Sequence, residues 1–348
     1  MFQKLRNYFL DYYPTLIINN PWILNKVFAV IKLPIIRNVY HFFYSRRILK
    51  VLERLKPEKD YRFTIEPFNV CNLKCIMCPY PEMTREKIKM PMDLYKKIVS
   101  QAVEMGIRRL NFSHYNEVFL DDLFVDRIRY AKEKGLTVFT FSNGSKTKPK
   151  DIDPLLDSGL DLIIFSIDGG TKKSFEEIRK GADFDKTVGI IQALLKRRKE
   201  RSLSKPAIHI HSTILSKKNQ KTTQYLHQIF DGADSFTIGL VDSRGDQGNY
   251  HFAQEAASNG RQTKLYPCVS PFGELTVMSS GEVCLCCRDY DGSVIIGDLR
   301  KQTLQEVYNS KKLEEIQRLH LNGQGDQIDI CKNCDALYRA TLSWWRNG

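Results

Sequence analysis

The run Val70-Cys-Asn-Leu-Lys-Cys-Ile-Met-Cys-Pro79 places three cysteines, Cys71, Cys75 and Cys78, within eight residues. Three thiolates at this spacing can hold one face of a cubane iron–sulfur cluster, whereas such clusters normally take four protein thiolates. The run therefore predicts a [4Fe-4S] cluster whose fourth iron is left for another ligand. A zinc knuckle, or two chance thiols beside a core cysteine, is the alternative interpretation.

The composition is that of a globular protein without a disulfide framework. The 348 residues are 42% hydrophobic and 27% charged, which suits one large core with a small appended domain. The nine cysteines include C-x-x-x-C and C-x-x-C groups, so we expect metal binding in a reducing, cytoplasmic compartment. Because Lys32 interrupts the apolar stretch at residues 27–36, we expect neither a signal peptide nor a membrane span.

Residues 1–60 differ from the rest of the chain in charge and aromatic content. They carry eleven Lys and Arg against four Asp and Glu, in a chain of net charge +13. We expect a helical extension that packs its aromatic side chains on the core; peripheral contact with an anionic membrane through this segment is the alternative. No base-reading motif accompanies the charge, so we expect no nucleic-acid partner.

From residue 61 the sequence alternates short β-branched or aromatic runs with longer helical stretches, which is typical of parallel β/α units. The predicted strands are residues 62–67, 109–114, 136–142, 161–168, 207–213 and 235–240, and the predicted helices include 92–106 and 175–199. Six units do not close an eight-stranded barrel. The predicted fold is therefore α/β, a partial (β/α)6 TIM-like barrel with its active site at the C-terminal strand ends.

The predicted organisation has three parts. A basic, aromatic-rich helical extension covers residues 1–60, the barrel core covers 61–245, and a small metal-binding domain covers 262–348. Residues 241–264 are polar and Gly-rich, which indicates a linker or an active-site loop.

Polar side chains stand at the ends of three predicted strands. Asn116 and Glu117 follow the second strand, Asn143 follows the third, and Ser166 and Asp168 end the fourth. In a barrel of parallel strands these ends meet on the face that carries the active site. Taken alone, Asp168 also suits the N-cap of the next helix, and Asn143 suits a tight turn.

In this order, the cysteine run and the strand-end residues resemble the radical S-adenosylmethionine (SAM) superfamily over residues 61–245. The resemblance implies that SAM binds the open iron and is cleaved to a 5′-deoxyadenosyl radical, which abstracts a substrate hydrogen. It also implies an external electron donor such as flavodoxin or ferredoxin. The implied cluster ligands are Cys71, Cys75 and Cys78, and the implied SAM-binding residues are Asn116, Glu117, Asn143, Ser166 and Asp168.

A second group of cysteines lies towards the C-terminus. Its widely spaced thiols can form one four-ligand site for structural zinc or for an iron–sulfur cluster. The layout resembles the SPASM domain or its shortened Twitch form, which implies an auxiliary [4Fe-4S] cluster bound by Cys268, Cys286, Cys331 and Cys334. The distance from Gly281 favours Cys286 as the ligand; Cys287 is the alternative, and we expect Cys284 to be a packed strand thiol.

The two cluster motifs together imply a radical SAM enzyme, which we expect to be an oxidoreductase acting on a carbinol of a sugar-like small molecule. Carbohydrate-modifying enzymes and peptide maturases share this layout. A maturase that epimerises or crosslinks a peptide is one alternative, and a non-catalytic iron–sulfur electron carrier is another. His209 and His211 alternate along one strand and so share a face, where we expect barrel-lining roles for them rather than catalysis.

Overall fold

The computed structural model describes residues 52, 56–58, 61–215, 223–241, 267–332 and 334. Within these residues it contains the strands β1 (Arg62–Ile65), β2 (Lys74–Cys75), β3 (Arg109–Asn111), β4 (Thr137–Ser142), β5 (Leu162–Ser166), β6 (Arg179–Lys180), β7 (Ala207–Ile214), β8 (Ser235–Leu240), β9 (Glu274–Val277), β10 (Glu282–Cys284) and β11 (Ile295–Asp298). Each of the six predicted strands is present, although several are shorter than expected.

The α-helices of the same ranges are α1 (Met92–Glu104), α2 (Phe124–Glu133), α3 (Ile152–Leu156), α4 (Lys172–Ile178), α5 (Phe184–Glu200), α6 (Thr223–Ile229), α7 (Ser270–Gly273), α8 (Leu304–Tyr308), α9 (Lys311–Leu321) and α10 (Asp329–Lys332). The first is amphipathic and buries Tyr95, Ile98, Val99 and Ala102. Among the helices described, none combines the length and the apolar character needed to cross a membrane.

Nine of these strands form one sheet in the order β11-β10-β9-β1-β3-β4-β5-β7-β8. The six strands predicted from the sequence pair in parallel and follow chain order from β1 to β8. This confirms the α/β fold class, with the open strand order of a partial barrel. On the other side of β1, β9 is added in parallel with Arg62 opposite Glu274, and β10 and β11 continue the sheet antiparallel.

The two faces of the sheet differ in burial because side chains alternate along each strand. One face is packed into the core by side chains that include Leu110, Val138, Ile163, Ile208 and Ile210. The other face carries Phe139, Phe141, Ile164, Ser166, His209 and His211, which are partly or substantially exposed. We refer to these six side chains and their neighbours on the same face as the open face of the sheet.

The predicted continuous helix over residues 175–199 is wrong. Helices α4 and α5 are separated by β6, which pairs antiparallel with β2 and sets Arg179 opposite Cys75. Gly181 then adopts a φ of +95°, a conformation that favours glycine, and Asp183 caps α5 by accepting from the Lys186 N–H. Pairing with the cysteine loop therefore overrides the local helical pattern.

The chain divides into two compact units. One comprises residues 57–241 and 274–313 and contains the nine-stranded sheet. The described part of the other comprises residues 52, 56, 267–273, 314–332 and 334. The predicted extension at residues 1–60 lies almost entirely outside the described residues, as do the predicted boundaries at 245 and 262, so the three-domain division stays a prediction.

Candidate active site

The three clustered cysteines lie in the loop after β1, and β6 holds this loop from one side. Cys75 belongs to β2 and pairs with Arg179 of β6. The Cys78 N–H donates to the Cys75 carbonyl at 3.0 Å, which turns the chain between the second and third thiols. Cys75 is buried, whereas Cys71 and Cys78 are half-buried. The loop is thus anchored while two of its thiols stay accessible.

Hydrogen-bond donors and positive charge surround these thiols. The Asn143 amide donates to Cys71 Sγ at 3.7 Å, and an Arg179 guanidinium nitrogen lies 3.9 Å from Cys75 Sγ. In the metal-free chain burial raises the pKa of Cys71 to about 12 and that of Cys75 to about 11. Iron binds the deprotonated form, which a neighbouring amide and guanidinium stabilise. The three thiols and their donors therefore fit an iron–sulfur cluster.

The described side chains do not form a site for one isolated metal ion. Over the described ranges, no three His, Cys, Asp or Glu side chains converge as the ligands of a single ion do. The cysteines of a cluster bind different irons, so they need no common centre.

Glu117 is buried at the end of the loop that follows β3. The Ser142 hydroxyl donates to Oε1 at 2.7 Å, the Asn143 N–H donates to Oε2 at 2.7 Å, and the Phe119 N–H donates to Oε1 at 3.2 Å. Burial raises the pKa of Glu117 against these hydrogen bonds. A carboxylate offers about four acceptor positions, so the protein leaves about one for the predicted SAM contact.

The two predicted asparagines are held differently. Asn116 accepts from the His114 N–H at 3.0 Å and donates to the Phe112 carbonyl at 3.3 Å, so it shapes the turn after β3. Asn143 follows β4 and reaches Cys71 with its amide. The structure thus joins Asn143 directly to the cysteine loop.

Asp168 is fully buried just after β5 and connects three parts of the fold. It accepts from the Thr213 N–H of β7 at 2.6 Å, and its other oxygen lies 2.7 Å from an Arg179 guanidinium nitrogen. The interpretation of Asp168 as a helix N-cap is wrong, because Thr171 caps α4 by accepting from the Ser174 N–H. Through Arg179, Asp168 instead supports the loop that carries Cys75.

A row of polar side chains crosses the open face at the strands β5, β7 and β8. Ser166 is opposite His211, and His211 is opposite Thr237. The Thr237 hydroxyl lies 2.6 Å from His209 Nε2 and 2.8 Å from His211 Nδ1, and His209 Nδ1 also contacts the Ser235 hydroxyl. The predicted shared face of the two histidines is confirmed, and one hydroxyl links their rings.

Sequence reasoning missed a buried charged cluster after β1. Glu66 lies 2.8 Å from an Arg85 guanidinium nitrogen and 3.5 Å from His114 Nδ1, and it accepts from the Tyr115 N–H at 3.0 Å. Burial acts to raise the pKa of Glu66, but His114 and Arg85 outweigh it and hold this pKa at about 2. Arg85 also donates to the Tyr290 carbonyl at 2.8 Å. An acidic residue directly after an apolar strand was the signal in the sequence.

Three of the C-terminal cysteines lie at the end of β10 and in the loop after it. Cys284 is fully buried, and its Sγ lies 3.6 Å from the carbonyls of Thr276 and Cys286. The expectation that Cys284 is a packed strand thiol is therefore confirmed. Cys286 is buried and Cys287 half-buried, and the Cys287 N–H donates to Glu274 Oε1 at 2.7 Å.

The other three lie in the second unit, where a histidine that the sequence analysis did not select joins two of them. The Cys268 N–H donates to His320 Nδ1 at 3.3 Å, and His320 Nε2 lies 3.5 Å from Cys331 Sγ. The Cys334 N–H donates to the Cys331 carbonyl at 3.3 Å. Burial lowers the pKa of His320 to about 4. The helical spacing of Leu313, Ile316 and His320 could have indicated a buried histidine.

We predict that Cys286→Ala removes the auxiliary cluster while Cys284→Ala retains it, because Cys284 is packed against backbone carbonyls. The iron content after anaerobic reconstitution should fall from roughly eight irons per chain to roughly four in the Cys286→Ala variant only. Cys287→Ala should have the milder effect. If Cys287→Ala alone removes the spectrum of the second cluster, the ligand is Cys287 rather than Cys286.

Two family descriptions match this chain. Residues 65–213 match the radical SAM superfamily, and residues 268–335 match an iron–sulfur cluster-binding domain known as SPASM. The first match runs from the last residue of β1 through the cysteine loop to β7, and the second spans the C-terminal cysteines.

Two characterised relatives are similar to parts of the chain. A tungsten-containing aldehyde ferredoxin oxidoreductase cofactor-modifying protein of Pyrococcus furiosus is 28% identical over 156 residues, which are 43% of this chain and 42% of that protein. The chain thus matches less than half of that relative's length. The S-adenosyl-L-methionine-dependent 2-deoxy-scyllo-inosamine dehydrogenase of Niallia circulans is 21% identical over 279 residues, which are 78% of this chain and 91% of the dehydrogenase.

Solved structures share the fold. BtrN in complex with AdoMet and 2-DOIA aligns with a TM-score of 0.54 at 17% identity, covering 79% of this chain and 93% of BtrN. SuiB of Streptococcus suis bound to its precursor peptide SuiA aligns with a TM-score of 0.59 at 13% identity, covering 78% of this chain and 70% of SuiB. At such identities the likeness concerns the fold alone.

Proposed function

Since the chain belongs to the radical SAM superfamily and carries a C-terminal SPASM iron–sulfur domain, we propose that it is an oxidoreductase that converts a carbinol of a sugar-like small molecule to a ketone. The cofactors of its two domains are [4Fe-4S] clusters and SAM. When bound, they supply a 5′-deoxyadenosyl radical that abstracts the carbinol hydrogen atom, and an acceptor for the electron left when the ketone forms.

We assign the cofactor-binding roles as follows. Cys71, Cys75 and Cys78 hold the catalytic cluster, and Cys268, Cys286, Cys331 and Cys334 hold the auxiliary one. Asn143 and the half-buried Ser166 and Asn116 face SAM, while Glu117 and Asp168 mainly position the loops around it, because their carboxylates are buried and already bound to protein groups. Flavodoxin or ferredoxin is the proposed external donor of the electron that starts each turnover.

The row of polar side chains on the open face is the observation that carries this proposal. His209, Thr237 and His211 are linked by hydrogen bonds and stand beside Ser166, on the face away from the buried core. A hydroxylated small molecule needs such donors and acceptors, since its polar groups would otherwise lose hydrogen bonds on leaving water. An apolar substrate would gain nothing from this row.

The same row supplies the proton acceptor that the reaction requires. Oxidation of a carbinol removes one hydrogen atom, one proton and one further electron, and the proton must leave the hydroxyl group. Burial lowers the pKa of His209, which favours its neutral form, and neutral imidazole can accept a proton. The Thr237 hydroxyl can donate to one ring while accepting from the other, so it can pass the proton between His209 and His211. We assign His211, which is opposite Ser166, as the first acceptor.

Anaerobic reconstitution followed by a substrate screen tests the proposal. The protein is incubated with SAM and dithionite, and in separate reactions with aminocyclitols or sugar alcohols carrying deuterium on the carbinol carbon, or with peptides carrying deuterium on their α-carbons. We expect deuterium in 5′-deoxyadenosine and one ketone per substrate consumed. Deuterium transfer only from peptides would overturn the carbinol proposal in favour of a peptide maturase, and failure to bind or cleave SAM at all would favour an electron carrier.

The His211→Asn variant separates the proton acceptor from the rest of the site. It should lower ketone formation by about 100-fold and change its pH profile, because general-base catalysis contributes about 10²- to 10⁴-fold. SAM cleavage without substrate should persist. His227→Asn is the matched control, since His227 lies on α6 with its ring against Phe236, and it should behave like the unchanged protein.

A further inference from the structure

His320 is a polar residue on the buried face of α9. Ile316 and Leu313 occupy the same face one and two turns earlier, respectively, and His320 itself is fully buried. A buried imidazole without hydrogen bonds is costly, so its two nitrogens are expected to have definite partners. Those partners are Cys268, two residues before α7, and Cys331 in α10.

Two contacts of His320, one at each ring nitrogen, indicate which nitrogen carries the proton. The Cys268 backbone N–H donates to Nδ1 at 3.3 Å, so Nδ1 acts as the acceptor. In neutral imidazole the other nitrogen then carries the proton. That nitrogen, Nε2, lies 3.5 Å from Cys331 Sγ, within the range of an N–H···S contact.

We propose that His320 donates its Nε2–H to the Cys331 thiolate and thereby raises the reduction potential of the auxiliary cluster. The inference rests on the proposed assignment of Cys268 and Cys331 as ligands of that cluster. It deepens the proposed function, because a cluster with a higher potential accepts the substrate electron more readily. His320 is in this sense a positioning residue rather than a catalytic one.

The direction of the effect follows from charge. Reduction adds an electron to the cluster, and hydrogen bonds to cluster sulfurs are among the features that set its potential. A donor to a ligand sulfur binds the more negative, reduced form more strongly, so it favours reduction. Burial strengthens the interaction because water does not compete for the sulfur.

Direct ligation of iron by His320 is the competing arrangement. It would require the lone pair on Nε2 and therefore the proton on Nδ1. An Nδ1–H would face the Cys268 N–H, which places two donors against each other. The backbone contact thus favours donation from Nε2 over ligation.

Three substitutions at position 320 test the roles of Nδ1 and Nε2 separately. His320→Gln keeps an amide donor near the position of Nε2, His320→Asn keeps an acceptor near the position of Nδ1, and His320→Leu removes both. Each is made in the full chain together with Cys71→Ala, Cys75→Ala and Cys78→Ala, so that only the auxiliary cluster contributes to the signal. The measurements are iron content, a redox titration followed by electron paramagnetic resonance, and hyperfine coupling to exchangeable protons in H2O and D2O.

We expect roughly four irons in every variant. At a fixed potential the ratio of reduced to oxidised auxiliary cluster should fall by about tenfold in the Asn and Leu variants, because each loses roughly one hydrogen bond. In the Gln variant this ratio should stay near the starting value. The exchangeable-proton coupling should be lost in the same two variants. Unchanged potentials in the Asn and Leu variants, or a loss of iron that only these variants show, would overturn the proposal.

Two further results distinguish a failure of the His320 proposal from a failure of the ligand assignment or of the proposed reaction. A Cys331→Ser chain that retains its cluster with an unaltered spectrum would overturn both the ligand assignment and the inference. The titration needs no substrate, so the expected shift in a protein that oxidises no carbinol would uphold the role of His320 and reject only the proposed reaction.

Discussion

Replacing Cys71, Cys75 and Cys78 together with Ala is expected to abolish 5′-deoxyadenosine formation and to lower the iron content from roughly eight to roughly four per chain. The three thiols lie in one loop beside the donors Asn143 and Arg179, and none of these donors can replace a thiolate as a ligand of iron. The measurements are iron and sulfide analysis after anaerobic reconstitution, and chromatography of the nucleoside product.

Cys284→Ala is the matched control for this experiment. It also removes a buried thiol, but one that contacts backbone carbonyls on β9 and in the loop after β10, so it should retain both clusters and SAM cleavage. A triple variant that still yields 5′-deoxyadenosine would contradict the assignment of the catalytic cluster. Native protein that contains one zinc ion and a single iron–sulfur cluster per chain would instead contradict the assignment of the auxiliary cluster.

Arg179→Met is expected to lower the free energy of unfolding of the iron-free chain by about 3–5 kcal/mol, the usual cost of leaving one partner of a buried ion pair alone. The substitution leaves the fully buried Asp168 with a carboxylate oxygen that has lost its cation 2.7 Å away. It also removes the positive charge near Cys75. Urea denaturation followed by circular dichroism measures the loss.

Two variants check the cause of this loss. Lys172→Met breaks the exposed pair of Lys172 with Asp185 and should cost far less, because solvent screens exposed charges in both states. Adding Asp168→Asn to Arg179→Met should recover much of the stability, because the uncompensated charge is then gone. Equal losses for the buried and the exposed pair would show that Asp168 and Arg179 do not act as a buried ion pair.

Local pattern was sufficient for much of the barrel. The β-branched and aromatic runs at residues 162–166 and 207–214 form strands because their side chains suit a pleated, half-buried surface. The parallel order followed from the helices between them. The cysteine loop and the polar residues at the strand ends were also predictable, because a parallel sheet brings these ends to one edge.

Partners distant in the chain were not predictable in the same way. Asp168 is bound by Thr213 and by Arg179, and no spacing rule selects either residue. The attraction of Arg179 to this carboxylate and to the cysteine loop is also why the predicted helix over residues 175–199 breaks. The contacts of Glu66 with Arg85 and His114 depend likewise on which strand ends become neighbours in space.

The strand β9 closes one edge of β1, although it is synthesised long after β1. Until residues 274–277 leave the ribosome, the N–H and C=O groups along that edge of β1 lack the partners they have in the finished sheet. Bare strand edges recruit strands of other molecules, and pairing between distant segments forms slowly. The nascent chain therefore passes through a period in which this edge of β1 is a template for aggregation, and β9 ends that period by protecting β1 in cis.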